Sequence, residues 1–394
     1  MKKMSKIVAV IAAMAVAVSL CLFAGCGGNY SETYNGVLSE QTYTSEEKAA
    51  QAFLSEEIGG SSSVVVYSKV KVEENALSEE EVEKLAIEDT SGVEYVKKAT
   101  VFYTESKVSA YAAATGTQDE LQQMLYIVKY VNGGYKYYSP ALSSGENLTK
   151  SYFNDVFNGE RYANVTISGK MASSAGVKMS YQGTNTDTTV NIDMSYTYQI
   201  TENAVYLKMT ETQRAPDETT GKPTTQTGVA EGYVVKTNKG YVMYSNISGS
   251  YQVMPLAGIS GGADMVWGSI INDTDHTGFK KTATGFQMDK ESCLAIMERQ
   301  FGDIFESYEF GSLEDLIKEM QFDFYVTEGN VSGVKQKLAM GLTVNESGAN
   351  LTVAASASAD YSFSKFGSTS VTVPEDVIAA ITAKGYTIVT APSV

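Results

Sequence analysis

The chain has a single histidine, His276, among 394 residues. Histidine is the side chain that changes charge near neutral pH, so general acid–base chemistry has little to draw on. Cysteine is almost as scarce, at three residues: Cys21, Cys26 and Cys293. There is no Cys/His cluster with zinc-ligand spacing, and no glycine-rich phosphate loop. Positive charge is in deficit: 30 Lys and Arg against 46 Asp and Glu leave a formal charge of −16. Such a surface repels phosphate backbones and anionic head groups, which argues against nucleic acid as a partner. No metal, cofactor or catalytic residue is expected, and the chain reads as a non-enzyme.

A long apolar run occurs at the N-terminus. Lys2, Lys3 and Lys6 precede it, and Ile7 to Ala24 is apolar apart from Ser19. Leu22-Phe23-Ala24-Gly25-Cys26-Gly27-Gly28 follows. This resembles the signal of bacterial lipoproteins, with small residues before an obligatory Cys. Phe23 stands where that signal usually has Leu, with Leu22 beside it. The resemblance implies that residues 1–25 are removed and that Cys26 carries lipid. It also implies that the protein is anchored on the outer side of the bacterial cell membrane. Acyl chains contribute about 0.8 kcal/mol per buried CH₂, so two chains anchor firmly. An ordinary signal peptide or an uncleaved helix is the alternative. With Cys26 acylated, Cys293 has no disulfide partner and reads as a small core residue in a helix.

Residues 26–43 are rich in Gly, Ser, Asn and Tyr and read as a flexible tether. Residues 44–142 read as a small α+β domain. Thr44 and Glu47 suit a capping box before a helix that buries Ala49, Ala52 and Phe53. Ser78 and Glu81 suit a second box, with Leu77 stapling onto Val82. Residues 64–72 and 93–113 read as strands. Residues 122–131 and 135–139 read as a hairpin about Asn132-Gly133-Gly134. This helix-plus-meander, through its closing Tyr126–Tyr138 hairpin with Val131-Asn132-Gly133-Gly134-Tyr135-Lys136-Tyr137-Tyr138, resembles the small cone-shaped domains of the NTF2-like superfamily.

Beyond residue 160 the pattern changes. Val190, Ile192, Met194, Tyr196, Tyr198 and Ile200 alternate with polar residues, as on a strand with one apolar face. The same alternation recurs at 163–167, 177–181, 205–209, 228–237, 241–247, 279–288, 322–328, 334–344 and 351–363. Arg214 to Gln226 reads as an exposed hairpin loop. About ten one-sided antiparallel strands curl, and their apolar face needs a cover. Helices are expected at 146–157, from Asp289 to about 302, at 312–320, and after Pro374. The apolar segment 253–271 breaks the strand period and reads as a short helix plus loop, either a mobile lid or a fixed plug. The fold class is α+β: over residues 146–390, a large curved antiparallel sheet, or half-barrel, with helices over its concave face. The small α+β domain precedes it.

The lipid anchor, the meander and the late-inserted helices resemble the LolA/LppX type of bacterial lipoprotein over roughly residues 146–385. The ending Tyr361-Ser362-Phe363-Ser364-Lys365-Phe366-Gly367, then Val373-Pro374-Glu375-Asp376, adds to that likeness. The resemblance implies a half-barrel that holds acyl chains, without catalysis.

Two motifs suggest other chemistry. Gly258-Ile259-Ser260-Gly261-Gly262 matches G-x-S-x-G, but a nucleophile elbow needs a parallel sheet. Asp273-Thr274-Asp275-His276-Thr277-Gly278 begins like a calcium loop, yet Thr284 stands where a bidentate Glu belongs. These read as a glycine-rich loop and a polar turn. Met171, Met179, Met194, Met209, Met243 and Met340 fall on expected strands. Thioethers there suit either an adaptable apolar ligand surface or an irregular core. The expected ligand-facing residues are Met179, Ile192, Met194, Tyr196, Leu207, Met209, Leu256, Met265, Trp267 and Ile270. The expected function is binding of a lipid or lipid-linked molecule by a membrane-anchored, extracytoplasmic lipoprotein. The alternative is a structural or interaction lipoprotein that docks protein or glycan through its exterior, around a self-packed core.

Overall fold

The computed structural model describes residues 36–60, 63–87, 90–107, 120–181, 184–217, 221–247, 250–256, 275–295, 297, 313–346 and 349–389. They build two separate antiparallel sheets. Cys26, the signal segment and most of the tether lie outside these residues.

The first sheet has five strands: β1 (Val37–Leu38), β2 (Ser63–Val72), β3 (Val93–Lys107), β4 (Leu121–Tyr130) and β5 (Tyr135–Ser139). Their order is β1-β5-β4-β3-β2. Gly133, at φ +94°, makes the expected turn between β4 and β5. Helix Glu46–Phe53 lays Ala49, Ala50 and Phe53 against Ala99, Val101, Leu125, Ile127 and Tyr137. Its cap is Ser45, which accepts from the Lys48 amide, and not Thr44. Tyr43 exchanges both main-chain hydrogen bonds with Tyr135, which holds the chain in the sheet up to that point. The capping box of Ser78 and Glu81 forms as expected on helix Glu79–Lys84. Leu77 and Val82 meet the other face of the sheet at Val96, Val128 and Tyr138.

The second sheet has eleven strands and is open. They are β6 (Val165–Tyr181), β7 (Thr184–Ile200), β8 (Ala204–Pro216), β9 (Pro223–Thr237), β10 (Gly240–Ile247), β11 (Ser250–Leu256), β12 (Phe279–Lys281), β13 (Gly285–Met288), β14 (Ile317–Thr327), β15 (Asn330–Glu346) and β16 (Ala349–Ser364). The spatial order is β11-β10-β9-β8-β7-β6-β16-β15-β14-β13-β12. The chain therefore meanders out from β6 to one edge, resumes at the opposite edge and meanders back. Its first and last strands pair in the middle, from Ser364↔Thr166 to Ala349↔Tyr181.

One face, here the inner face, carries the main apolar cluster. Helix Lys150–Val156 covers one end of it with Tyr152, Phe153 and Val156. Cys293 and Met297 join the same cluster from helical residues that follow the Asp289 cap. Helix Glu375–Ala383 lies on the opposite face, where Val377 and Ile381 meet Val235, Val242 and Tyr244. The sequence reading assigned this last helix to neither face.

Several boundaries differ from the sequence reading, each for a physical reason. Helix 146–157 is shorter because Asn147 bridges Lys280 and Thr149 becomes the cap. Much of the expected loop 214–226 is paired strand, from Ala215↔Thr224 to Pro216↔Pro223. The strand expected over 279–288 folds back as the β12–β13 hairpin. Gly285 permits this with φ +156°, and a Cβ there would lie 2.0 Å from the Phe324 carbonyl oxygen. The helix expected over 312–320 is only Leu313–Leu316 where it is described. A bulge between Ile317 and Glu319 places Ile317 and Met320 on one face of β14, which imitates helical spacing. Residues 253–256 are strand. Met254 faces inward opposite Met243, while Val253 meets the C-terminal helix, so neither face is polar and no alternation shows.

Candidate functional site

The inner face has two unlike wings on either side of β6. On the β16–β12 side, Phe279, Phe286 and Phe324 interlock with Phe153 and Phe157 from the helix. Phe286 stacks on Phe324 with centroids 4.8 Å apart, and Phe153 meets Phe157 at 4.9 Å. This is filled core.

At the middle, Tyr361, Tyr196 and Tyr198 form a stacked ladder, with centroids 6.0 and 6.4 Å apart. Gly169 pairs with both Tyr361 and Tyr196. A Cβ on Gly169 would lie 1.7 Å from the Tyr361 ring, so the ring occupies the space a side chain would take. The Tyr196 hydroxyl donates to the Met194 sulfur at 2.8 Å. Burial pushes the Tyr198 phenol up to about 12. Burial likewise raises Tyr361, with Tyr198 adding to it. Tyr196 is raised by burial first, then by Tyr361, Tyr198 and Glu211.

On the β7–β11 side the wall thins. The inward residues of β9 below Val234 are Gly232, Ala230 and Gly228, opposite Leu207, Met209 and Glu211 of β8. Across β10, Met243 stands opposite Val234. This row of small residues, bordered by the longer side chains of β8 and by Ser245 of β10 opposite Gly232, is here termed the trough; Leu207 reaches over Gly232, within 3.4 Å of where a Cβ would lie. The floor from Gly228 to Gly232 is roughly 13 Å long at the rise of a strand. Val205 and Val234 close the deep end, at 1% and 0% exposure. Leu207, Met209, Met243 and Leu256 remain only half-buried along the sides. At the open end a Cβ on Gly228 would meet nothing within 4 Å. Glu211 and, beyond it, Gln213 and Gln226 make that end polar.

The expected ligand residues divide accordingly. Met194 and Tyr196 are buried at 4% and 5% exposure, in the central cluster. Ile192, Leu207, Met209 and Leu256 are half-buried around the trough. Met179 faces inward at the far tip, between Leu351 and Thr186, away from the trough. Met265, Trp267 and Ile270 lie outside the described residues, as does most of the 253–271 cover and the G-x-S-x-G segment. Sequence reasoning missed the trough because its floor is defined by absent side chains, which carry no apolar signal. It also missed Gly169, whose role depends on a strand nearly 200 residues away in the chain.

Of the calcium-like segment, Asp275 to Gly278 are described. The Asp275 carboxylate accepts from the Thr277 amide and hydroxyl, capping a short turn. Among the described residues no three His, Cys, Asp or Glu side chains gather to hold a metal. Nor is any helix among them long and apolar enough to cross a membrane. A groove of about 390 Å³ is lined by Lys170, Asp193, Ser195, Thr210, Thr212, Ser358 and Asp360 together with Met171, Ala172 and Met194, and more of its accessible surface is carbon than polar atoms. No protein-family model and no curated protein sequence matches the chain.

Proposed function

We propose that the chain is a membrane-anchored, extracytoplasmic bacterial lipoprotein that holds an apolar ligand, a lipid or lipid-linked molecule, in the trough over β9. The observation that carries this reading is the row Gly228, Ala230 and Gly232 beside half-buried Leu207 and Met209, with half-buried Met243 at its deep end opposite Val234. An interior built for stability alone leaves little space between long side chains. Flexible thioethers at the walls adapt to chains of varied shape. Each methylene laid on the floor contributes about 0.8 kcal/mol, so a medium-length acyl chain supplies enough to bind. Glu211 at the mouth favours a head group with hydrogen-bond donors. The likeness to LolA/LppX-type lipoproteins supports the same reading, as does the Cys26 signal. The protein acts by sheltering, not by catalysis.

Two experiments test the two parts. Cys26→Ala should release the protein or leave its precursor uncleaved; a processed, acylated variant on the membrane contradicts the anchor. A medium-chain fatty acid added to delipidated protein should raise its melting temperature. Gly228→Phe should abolish that rise while leaving the unliganded melting temperature in place. A rise that survives Gly228→Phe contradicts the trough.

The second reading, docking through the exterior, draws on the outer-face groove, where Lys170, Asp193, Asp360 and several hydroxyls stand beside apolar surface. A hydroxyl-rich ligand such as a glycan fits that lining. It predicts glycan binding that Gly228→Phe leaves intact.

A further inference from the structure

The chain's only histidine is buried, at 2% exposure, where the first sheet's helix meets the second sheet. His276 opens the short turn before β12. Its Nδ1 lies 2.9 Å from the Leu148 carbonyl oxygen, and its Nε2 lies 3.0 Å from the Gly59 carbonyl oxygen. Leu148 leads into helix Lys150–Val156 on the second sheet. Gly59 ends the helical stretch that packs on the first sheet. The same junction holds Glu57, 3% exposed. Its carboxylate accepts from the Ser151 hydroxyl at 2.6 Å and amide at 3.3 Å, and from the Tyr137 hydroxyl at 3.1 Å. Gly60 sits so close that a Cβ there would lie 2.7 Å from Asp275 Oδ2.

Carbonyl oxygens only accept. A neutral imidazole has one N–H and one lone pair, whereas the imidazolium has two N–H groups. With a neutral ring, one of these two close contacts sets lone pair against lone pair. With a protonated ring both become charge-assisted hydrogen bonds. The charged groups on the packed elements are Asp275 on the same turn, Glu56 and Glu57 on the first sheet's helical stretch, Glu146 and Lys150 around Leu148, Lys280 and Lys281 on β12, and Asp289 beyond β13.

We propose that His276 is a proton-operated latch between the two parts of the chain. The imidazolium ties Gly59 to Leu148, and loss of the proton frees one carbonyl. Because the closed junction is the form that binds the proton, it tightens as pH falls and loosens as pH rises. This holds whether or not the trough carries a ligand.

A lone histidine makes the test direct. The full chain labelled with ¹⁵N-histidine is followed by long-range ¹H–¹⁵N correlation between about pH 5 and about pH 8, where histidine ordinarily changes charge. Both ring nitrogens should carry protons at the acid end and one neutral tautomer should appear at the alkaline end. Hydrogen exchange at Gly59 and its neighbours, corrected for its intrinsic pH dependence, should quicken about tenfold over that range. His276→Gln has its donors on one nitrogen, with an oxygen beside it that can only accept, and it does not titrate, so its exchange there should be fast and independent of pH. A ring that stays a single neutral tautomer at every pH overturns the latch. So does a His276→Gln variant that keeps the pH dependence, because Glu57 or Asp275 would then be the switch. If that variant does not fold, the wild-type ring spectra decide alone.

Discussion

The two wings of the inner face are built from the same kind of strand and do opposite things. On the β12–β16 side, five phenylalanines from strands and helix close on one another, and Phe279, Phe286 and Phe324 are all 1% exposed or less. On the β7–β11 side the cross-strand partners of Leu207, Met209 and Glu211 are Gly232, Ala230 and Gly228, and Leu207 folds over Gly232. Aromatic interlock has few alternative arrangements and specifies one packing. Small residues between flexible ones specify a space instead. One sheet thus packs large rings together at one end and small residues beside flexible ones at the other.

The sharpest way to break this contrast is to hollow the filled wing. Phe286→Ala should cost about 3–5 kcal/mol in denaturant unfolding, since its cavity is walled by four other rings. A loss below about 1 kcal/mol would mean that this wing is not the core. At the boundary between the wings, Gly169→Val drives a side chain into the Tyr361 ring. It should cost about 1–3 kcal/mol and disturb the near-ultraviolet signal of the tyrosine ladder.

Alkali probes the same ladder without mutation. Tyr198 is raised to about 12 by burial, and Tyr196 and Tyr361 are raised as well. The folded state keeps these phenols neutral, so their contribution is intact below the ordinary value of about 10. It drains as pH passes through about 12 for Tyr198. Phenolate absorbance should lag in the folded protein and then appear together with unfolding; smooth titration of every tyrosine near 10 in folded protein would contradict the buried ladder. In the thin wing the effects shrink. Met209→Ala should cost roughly 1 kcal/mol, because that side chain is only half-buried. Gly228→Phe should change stability by less than about 0.5 kcal/mol.

These contrasts were legible in the sequence to different depths. The alternation from Val190 to Ile200 gave β7 and its inward residues outright, and Ser78 with Glu81 gave a helix start. Cys293 was readable as a core residue and is 3% exposed. Strand order was not readable, because nothing local says that β6 pairs with β16 rather than ending a simple meander. The bulge in β14 disguised a strand as a helix, since both put residues three apart on one side. The trough was the least legible part. Its glycines and alanine look like weak strand, and only their neighbours on β8 and β10 turn them into a floor. The aromatic wing was half legible: its phenylalanines stood out, but their meeting from four separate segments did not.

The central claim is that the thin wing holds an apolar ligand, and native mass spectrometry of protein purified from cells tests it most directly. Wild-type protein should carry one additional mass that organic extraction removes and identifies as a lipid or lipid-linked molecule. Gly228→Phe and Met209→Glu, folded by circular dichroism, should fly without it, whereas Lys170→Ala on the outer face should retain it. Wild-type protein that flies bare, and stays bare after incubation with lipid extract from the same cells, would contradict the account.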